Sequence, residues 1–352
     1  MRSVIRILIV MSIILIVGTY LNRGQEESGV LDQSSSSTLS EMDIQSDEVK
    51  EAEEKVSTAE QPSSGPGAYI GKPASLLTKK MGEPDRKDPS AYGYEWWVYK
   101  GERQYTQFGV ENNTVVTAYA AGDVNVAPFE IDQSVADIFQ NHDLKMEVVI
   151  TKKTGTYRLE LSEEDFNMRP LVSLGNIYAQ LYIDKFSGTL SSVRFLTEDY
   201  LIKQRSYEMV YRGELPPEPQ LSDAAWNEIE KGSERQILDL TNIIRQKHGL
   251  SILTWEEEVA TVAKQHSKDM HKGQYFSHES PSAGDLGDRL QAGGVSYQLA
   301  GENIAANYVD GPAAVEGWLN SESHREALLE EEFILLGVGV YRQYYTQNFV
   351  AR

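Results

Sequence analysis

Cysteine is absent from this 352-residue chain. That excludes disulfides, thiolate zinc sites, iron–sulfur clusters, a cysteine nucleophile and a lipidated N-terminal cysteine. Basic residues are scarce: 33 Lys and Arg stand against 53 Asp and Glu, a formal net charge of −20. A chain so acidic is a poor binder of phosphate backbones or anionic bilayers through bulk charge, so no nucleic-acid partner is expected. There is no phosphate loop and no dinucleotide-binding glycine pattern. Histidine is sparse too, at six residues, and no two of them stand four apart on a helix as a local metal motif would require.

What is present divides along the chain. Hydrophobic residues make up 40%, enough for a sizeable core, and the length allows two modest domains. Residues 1–21 begin with Arg2 and Arg6 and run apolar from Ile7 to Val17 except for Ser12. Cations ahead of a short apolar core mark an export signal or a signal-anchor, and the expected location is extracytoplasmic, secreted or held at the membrane by this segment alone. Residues 22–68 hold eleven acidic residues against Arg23, Lys50 and Lys55, a serine run and Pro62-Ser63-Ser64-Gly65-Pro66-Gly67. Such a stretch cannot bury enough surface to offset its chain entropy and reads as a disordered acidic linker, with 41–59 able to form a fraying helix.

Residues 69–213 read as an α+β domain. A short helix over 73–80 stops near Gly82 and Pro84, and strands then dominate. Strands 104–111 and 114–121 flank Asn112-Asn113, a two-residue hairpin turn. Of the neighbours Trp96 and Trp97, one should be core, because adjacent strand residues face opposite sides. Residues 214–232, opening with Glu-Leu-Pro-Pro-Glu-Pro-Gln, read as a proline-stiffened linker. Residues 233–352 open with two helices, one stopping at Gly249 and one over 255–272 that carries Val259, Ala263, His266 and Met270 on one stripe. A third helix is expected over 312–320, and strands over 335–341 and 345–350. Helices first and strands late point to layered α/β/α packing.

Five of the six histidines, all but His142, lie in this last region. The segments of interest are Tyr275-Phe276-Ser277-His278, Gly301-Glu302-Asn303-Ile304-Ala305 and Trp318 to Arg325. His278, Glu302 and His324 stand 24 and 22 residues apart, a spacing that does not by itself bring them together.

The segment Ala263-Lys264-Gln265-His266-Ser267-Lys268-Asp269-Met270, followed by Phe276-Ser277-His278, Arg289, Gly301-Glu302-Asn303-Ile304-Ala305, Trp318 with Ser321 and His324-Arg325, Gly337-Val338-Gly339 and Tyr345-Thr346-Gln347-Asn348-Phe349, resembles the CAP superfamily. That superfamily comprises cysteine-rich secretory proteins, antigen 5 and pathogenesis-related 1 proteins, and the likeness is to its short bacterial, cysteine-free form. Residues 69–213 are similar to the domain that precedes CAP domains in Bacillus-type proteins, on Ile70-Gly71-Lys72, Met81-Gly82-Glu83-Pro84 and Tyr92-Gly93-Tyr94-Glu95-Trp96. The resemblance implies an α–β–α sandwich with a cleft lined by two histidines and two acidic residues. His278, Glu302 and His324 match three of the four. The second acid falls three residues after the motif tryptophan in the family; here that position is Ser321, and Glu322 beside it would point about 100° away on a helix.

Two imidazoles and a carboxylate suit a divalent metal, typically zinc, at His278 and His324 with Glu302 as a third ligand. Without metal, the same trio suits a polar group of a small molecule, lipid or peptide. The competing structural readings are that Glu302 satisfies backbone N–H groups in a loop before the strand, that His324 sits at a helix start with Arg325 on a carboxylate, and that His278 closes a loop. Functionally, the residues favour a non-enzymatic binding module. The alternative is a metal-dependent hydrolase of peptide or cell-wall material with Glu302 as base or ligand.

Overall fold

A computed structural model describes residues 60–352; the signal or anchor segment and most of the acidic linker lie outside the described residues. In the first half, Asn112 and Asn113 both adopt positive φ (48° and 61°), the conformation a two-residue hairpin needs, and they join strands Gln104–Glu111 and Thr114–Gly122. That hairpin sits centrally in a seven-stranded antiparallel sheet. Its order is Arg86–Pro89, Glu95–Lys100, Gln104–Glu111, Thr114–Gly122, Thr189–Thr197, Ile177–Asp184 and Leu171–Leu174. Strand alternation sends Trp96 into the core and leaves Trp97 on the other face, half-buried beneath the Lys87 ammonium. One face carries Phe108, Phe195 and Val193 into a core of its own. On the other, Trp96, Tyr105, Tyr119 and Tyr182 enter a core that continues through Ile237, Leu240, Trp318 and Tyr345 of the second half.

The second half does not begin where the sequence suggests. The helix expected from 233 starts at Asp223 and runs to Lys247, so the last ten residues of the expected 214–232 linker are helical. Pro216, Pro217 and Pro219 confine the extended stretch, and the Ser222 hydroxyl accepts the Ala225 N–H as a cap. Gly232, a poor helix former that disguises the continuation, is there for clearance: a Cβ would lie 2.8 Å from the Asp88 Cβ on the sheet's edge strand.

A four-stranded sheet follows the order Thr254–Trp255, Leu335–Tyr341, Tyr344–Ala351 and Leu299–Ala306. The segment carrying Glu302 is thus the strand itself, not a loop before it. Alternation along Tyr344–Ala351 shows the layering: Thr346 meets Ser267 of the helix Glu257–Gly273, while Gln347 donates to Thr241 of Asp223–Lys247 on the opposite face. Gly337 and Gly339 let the first of these helices lie directly on the strand. A Cβ at Gly339 would stand 1.9 Å from the Lys264 backbone nitrogen.

The two halves are also bolted together by buried polar groups. Arg194 makes a two-pronged contact with Asp310 at 2.7 and 2.8 Å. Tyr119 and Ser192 donate to Glu316 at 2.6 and 2.5 Å. Arg325 grips Asp184 through both nitrogens at 3.0 Å, the carboxylate pairing expected of that residue.

Candidate functional site around His278, Glu302 and His324

The helix Glu257–Gly273 ends at Gln274, whose φ of 54° turns the chain into the loop bearing His278. Side chains hold that loop in place. Ser280 and Tyr275 donate to Asp269, and Arg289, from the helix Leu286–Ala292, donates to the His278 carbonyl at 2.6 Å and the Gly284 carbonyl at 3.0 Å. The His266 Nε2–H, buried under the loop, donates to the Ser277 carbonyl at 3.0 Å.

Glu302 projects from Leu299–Ala306 on the face shared with Asn348, its cross-strand partner. Its carboxylate is almost wholly buried, with 3% of the side chain exposed. Arg289 donates to Oε2 at 2.6 Å and His278 Nδ1 lies 2.9 Å from Oε1. With its amide turned to donate, Asn348 adds a third contact at 3.0 Å to Oε2. Burial alone would raise the Glu302 pKa, but the His278 hydrogen bond and the charge of Arg289 outweigh it and hold the carboxyl below its ordinary range. A carboxylate can only accept, so the proton of neutral His278 sits on Nδ1 and Nε2 presents a lone pair. That imidazole is 57% exposed.

His324 lies in the helix Glu322–Leu329, its ring 6.3 Å from that of His278. Burial, with a smaller contribution from His278, pulls its pKa down to about 4, so at neutral pH it is uncharged. Its carbonyl accepts from Asn303, which faces the other side of the sheet from Glu302.

The structure therefore draws His278, Glu302 and His324 into one place, although 46 residues of sequence separate the first from the last. At the position of the family's second acid stands Ser321. Ser321 caps the helix Glu322–Leu329 without a side-chain bond, and Glu322 is exposed. Two residues given no role by the sequence complete the cluster instead. Arg289 neutralises Glu302, and His266 lies 3.9 Å from Oε1. The helical stripe identified His266 as buried, but nothing local showed that the stripe ends against a carboxylate. His271 turns away and packs on Tyr341 and Tyr344.

Glu302 is not free to serve as a zinc ligand in this arrangement. Both Glu302 oxygens already accept hydrogen bonds, and a guanidinium 2.6 Å away opposes a second cation. Among the described residues no group of three or more His, Cys, Asp or Glu is disposed to hold a metal ion. The Glu302 carboxylate is instead part of a hydrogen-bonded Arg289–Glu302–His278 chain, with the His324 ring alongside.

Similarity to known proteins runs through both halves. Residues 70–207 match the CAP-associated N-terminal family and residues 238–351 the cysteine-rich secretory protein family. The chain is 55% identical over 293 residues to a Bacillus subtilis (strain 168) protein named uncharacterized membrane protein YlbC, covering 83% of this chain and 85% of that one. A crystal structure of an extracellular protein containing a SCP domain from Bacillus anthracis str. Ames superposes with a TM-score of 0.79 at 47% identity, over 85% of this chain and 99% of that one. A cysteine-rich secretory protein from Staphylococcus aureus subsp. aureus Mu50 gives 0.76 at 28% identity, over 84% and 95%. With the matched segments, the layered fold and the clustered His278, Glu302 and His324 all in place, the chain belongs to the cysteine-rich secretory protein (CAP) family, in the form that carries a CAP-associated N-terminal domain.

Proposed function

We propose that this protein is an extracytoplasmic, non-enzymatic binding module, held at the membrane by residues 1–21. Its ligand is a small molecule, lipid or peptide that docks at His278 and His324. One observation carries the reading: the Glu302 carboxylate is consumed in orienting His278. Arg289 and His278 occupy its two oxygens, so it serves as an anchor and not as a free base or metal ligand. The outcome is an exposed imidazole with a fixed Nε2 lone pair beside a neutral His324. With both rings in their neutral forms, such a surface accepts hydrogen bonds from N–H or O–H groups. The names of the relatives, a membrane protein in one case and an extracellular one in another, support the location.

The test follows the His278 and His324 ring resonances of the full chain in nanodiscs. Soluble cell-wall glycopeptide fragments, short peptides and a short-chain phospholipid are titrated in turn. The expected result is a saturable shift with one class, lost in His278→Ala, and no new product by mass spectrometry. Product formation abolished by Glu302→Gln would replace this reading with a hydrolase. No saturable shift with any of the three would overturn it.

A further inference from the structure

A second surface lies on the first half, where the described chain begins. A cavity of about 480 Å³ is walled by Ser64, Tyr69 and Leu76 and rimmed by Lys72, Lys79 and Lys80. All three lysines are exposed, and among the described residues none has an ion-pair partner. The feature is unusual in a chain of net charge −20. Leu76 is 41% exposed, an apolar side chain inside a cationic rim. The start of the described chain is fixed beside this groove: the Gln61 amide donates to the Gly67 and Ile70 carbonyls.

The preceding chain has the complementary chemistry. Between 41 and 59 stand seven acidic residues, Glu41, Asp43, Asp47, Glu48, Glu51, Glu53 and Glu54, against Lys50 and Lys55. Met42, Val49 and Val56 recur every seven positions, with Ala52 and Ala59 between and after them, a helical spacing that would align one apolar stripe on an acidic segment.

We propose that the acidic segment 41–59 docks back into the Lys72–Lys79–Lys80 groove, its apolar stripe against Tyr69 and Leu76. The attachment is intramolecular, so the local concentration of the segment is on the order of millimolar. An anionic bilayer, the other surface that three lysines could meet, must approach a molecule of strongly negative net charge. Docking shortens the reach of the tether, and because the contacts are exposed, salt releases it.

The test measures lysine acetylation by mass spectrometry on the full chain in phosphatidylcholine nanodiscs. Lys272, exposed and distant in sequence, serves as the internal standard. Lys72, Lys79 and Lys80 should react several-fold more slowly than Lys272. That protection should vanish at about 1 M NaCl, where the screening length falls to about 3 Å. It should vanish equally in a variant with Glu→Gln at 41, 48, 51, 53 and 54 and Asp→Asn at 43 and 47. Equal rates in parent and variant would overturn the proposal. So would protection that needs phosphatidylglycerol and survives in the variant, since that assigns the groove to lipid.

Discussion

Acidification should single out His324. Its pKa is about 4 in the folded chain against an ordinary 6.5, because burial disfavours the imidazolium. The unfolded chain therefore takes up a proton in a window where the folded one does not. Stability from this group is complete above pH 6.5 and is lost as pH falls from there toward 4. At pH 5 the unfolded histidine is almost fully charged and the folded one is mostly neutral, which corresponds to about 2 kcal/mol; the full 2.5-unit gap corresponds to about 3 kcal/mol. Burial also lowers the pKa of His142, His248 and His266, so the parent's total loss overstates the share of His324. Comparing parent with His324→Gln cancels those contributions. Urea unfolding of both at pH 7 and pH 5 should show the variant losing about 2 kcal/mol less on acidification. A ring-proton titration of the parent should place the His324 midpoint near 4. A midpoint at the ordinary histidine value, or the same acid loss in both proteins, would refute the argument that this ring is held neutral by its surroundings.

Other expectations concern the groups that organise the site and join the halves. Arg289→Ala should raise the titration midpoint of the Glu302 carboxyl, followed by carbon-13 NMR, and cost about 3–5 kcal/mol in urea unfolding, because a buried acid loses its cation. Arg194→Ala should cost a similar 3–5 kcal/mol by the same measurement, since Asp310 keeps only its cap to the Ala313 N–H. Burial raises the pKa of Glu316, so the stability this group gives is present below the ordinary carboxylate value and is lost as pH rises through the folded one. Glu316→Gln should thus gain on the parent between pH 4 and pH 7 in urea melts; a variant that falls further behind at pH 7 would contradict that sign. Gly339→Ala should cost about 3 kcal/mol or more in thermal or urea unfolding, because its methyl would overlap the backbone of the adjacent helix.

Elements with strong local signals were legible in the sequence. The Asn112-Asn113 hairpin, the helix Glu257–Gly273 and the final strand pair Leu335–Tyr341 and Tyr344–Ala351 rest on turn chemistry and periodicity, which act over a few residues. The start of the helix at Asp223 was not legible, because Gly232 answers to Asp88, 144 positions earlier, and not to its helix neighbours. Family resemblance, not spacing, pointed to His278, Glu302 and His324. What it could not supply was Arg289 as the partner of Glu302. That pairing depends on a short helix folding over a strand, and it places a guanidinium against the Glu302 carboxylate.

The bolts across the two halves bear on how such chains can be cut and recombined. Severed from its companion, the C-terminal portion would present Asp310 and Glu316 to water on a surface built to meet arginine, tyrosine and serine. The N-terminal piece would carry Arg194 and Asp184 on a bared aromatic wall. A graft onto a foreign scaffold would need that scaffold to offer the same guanidinium and hydroxyls at matching heights. Because Arg325 follows His324 directly in the chain, a mismatch at Asp184 would be felt one peptide bond from the site.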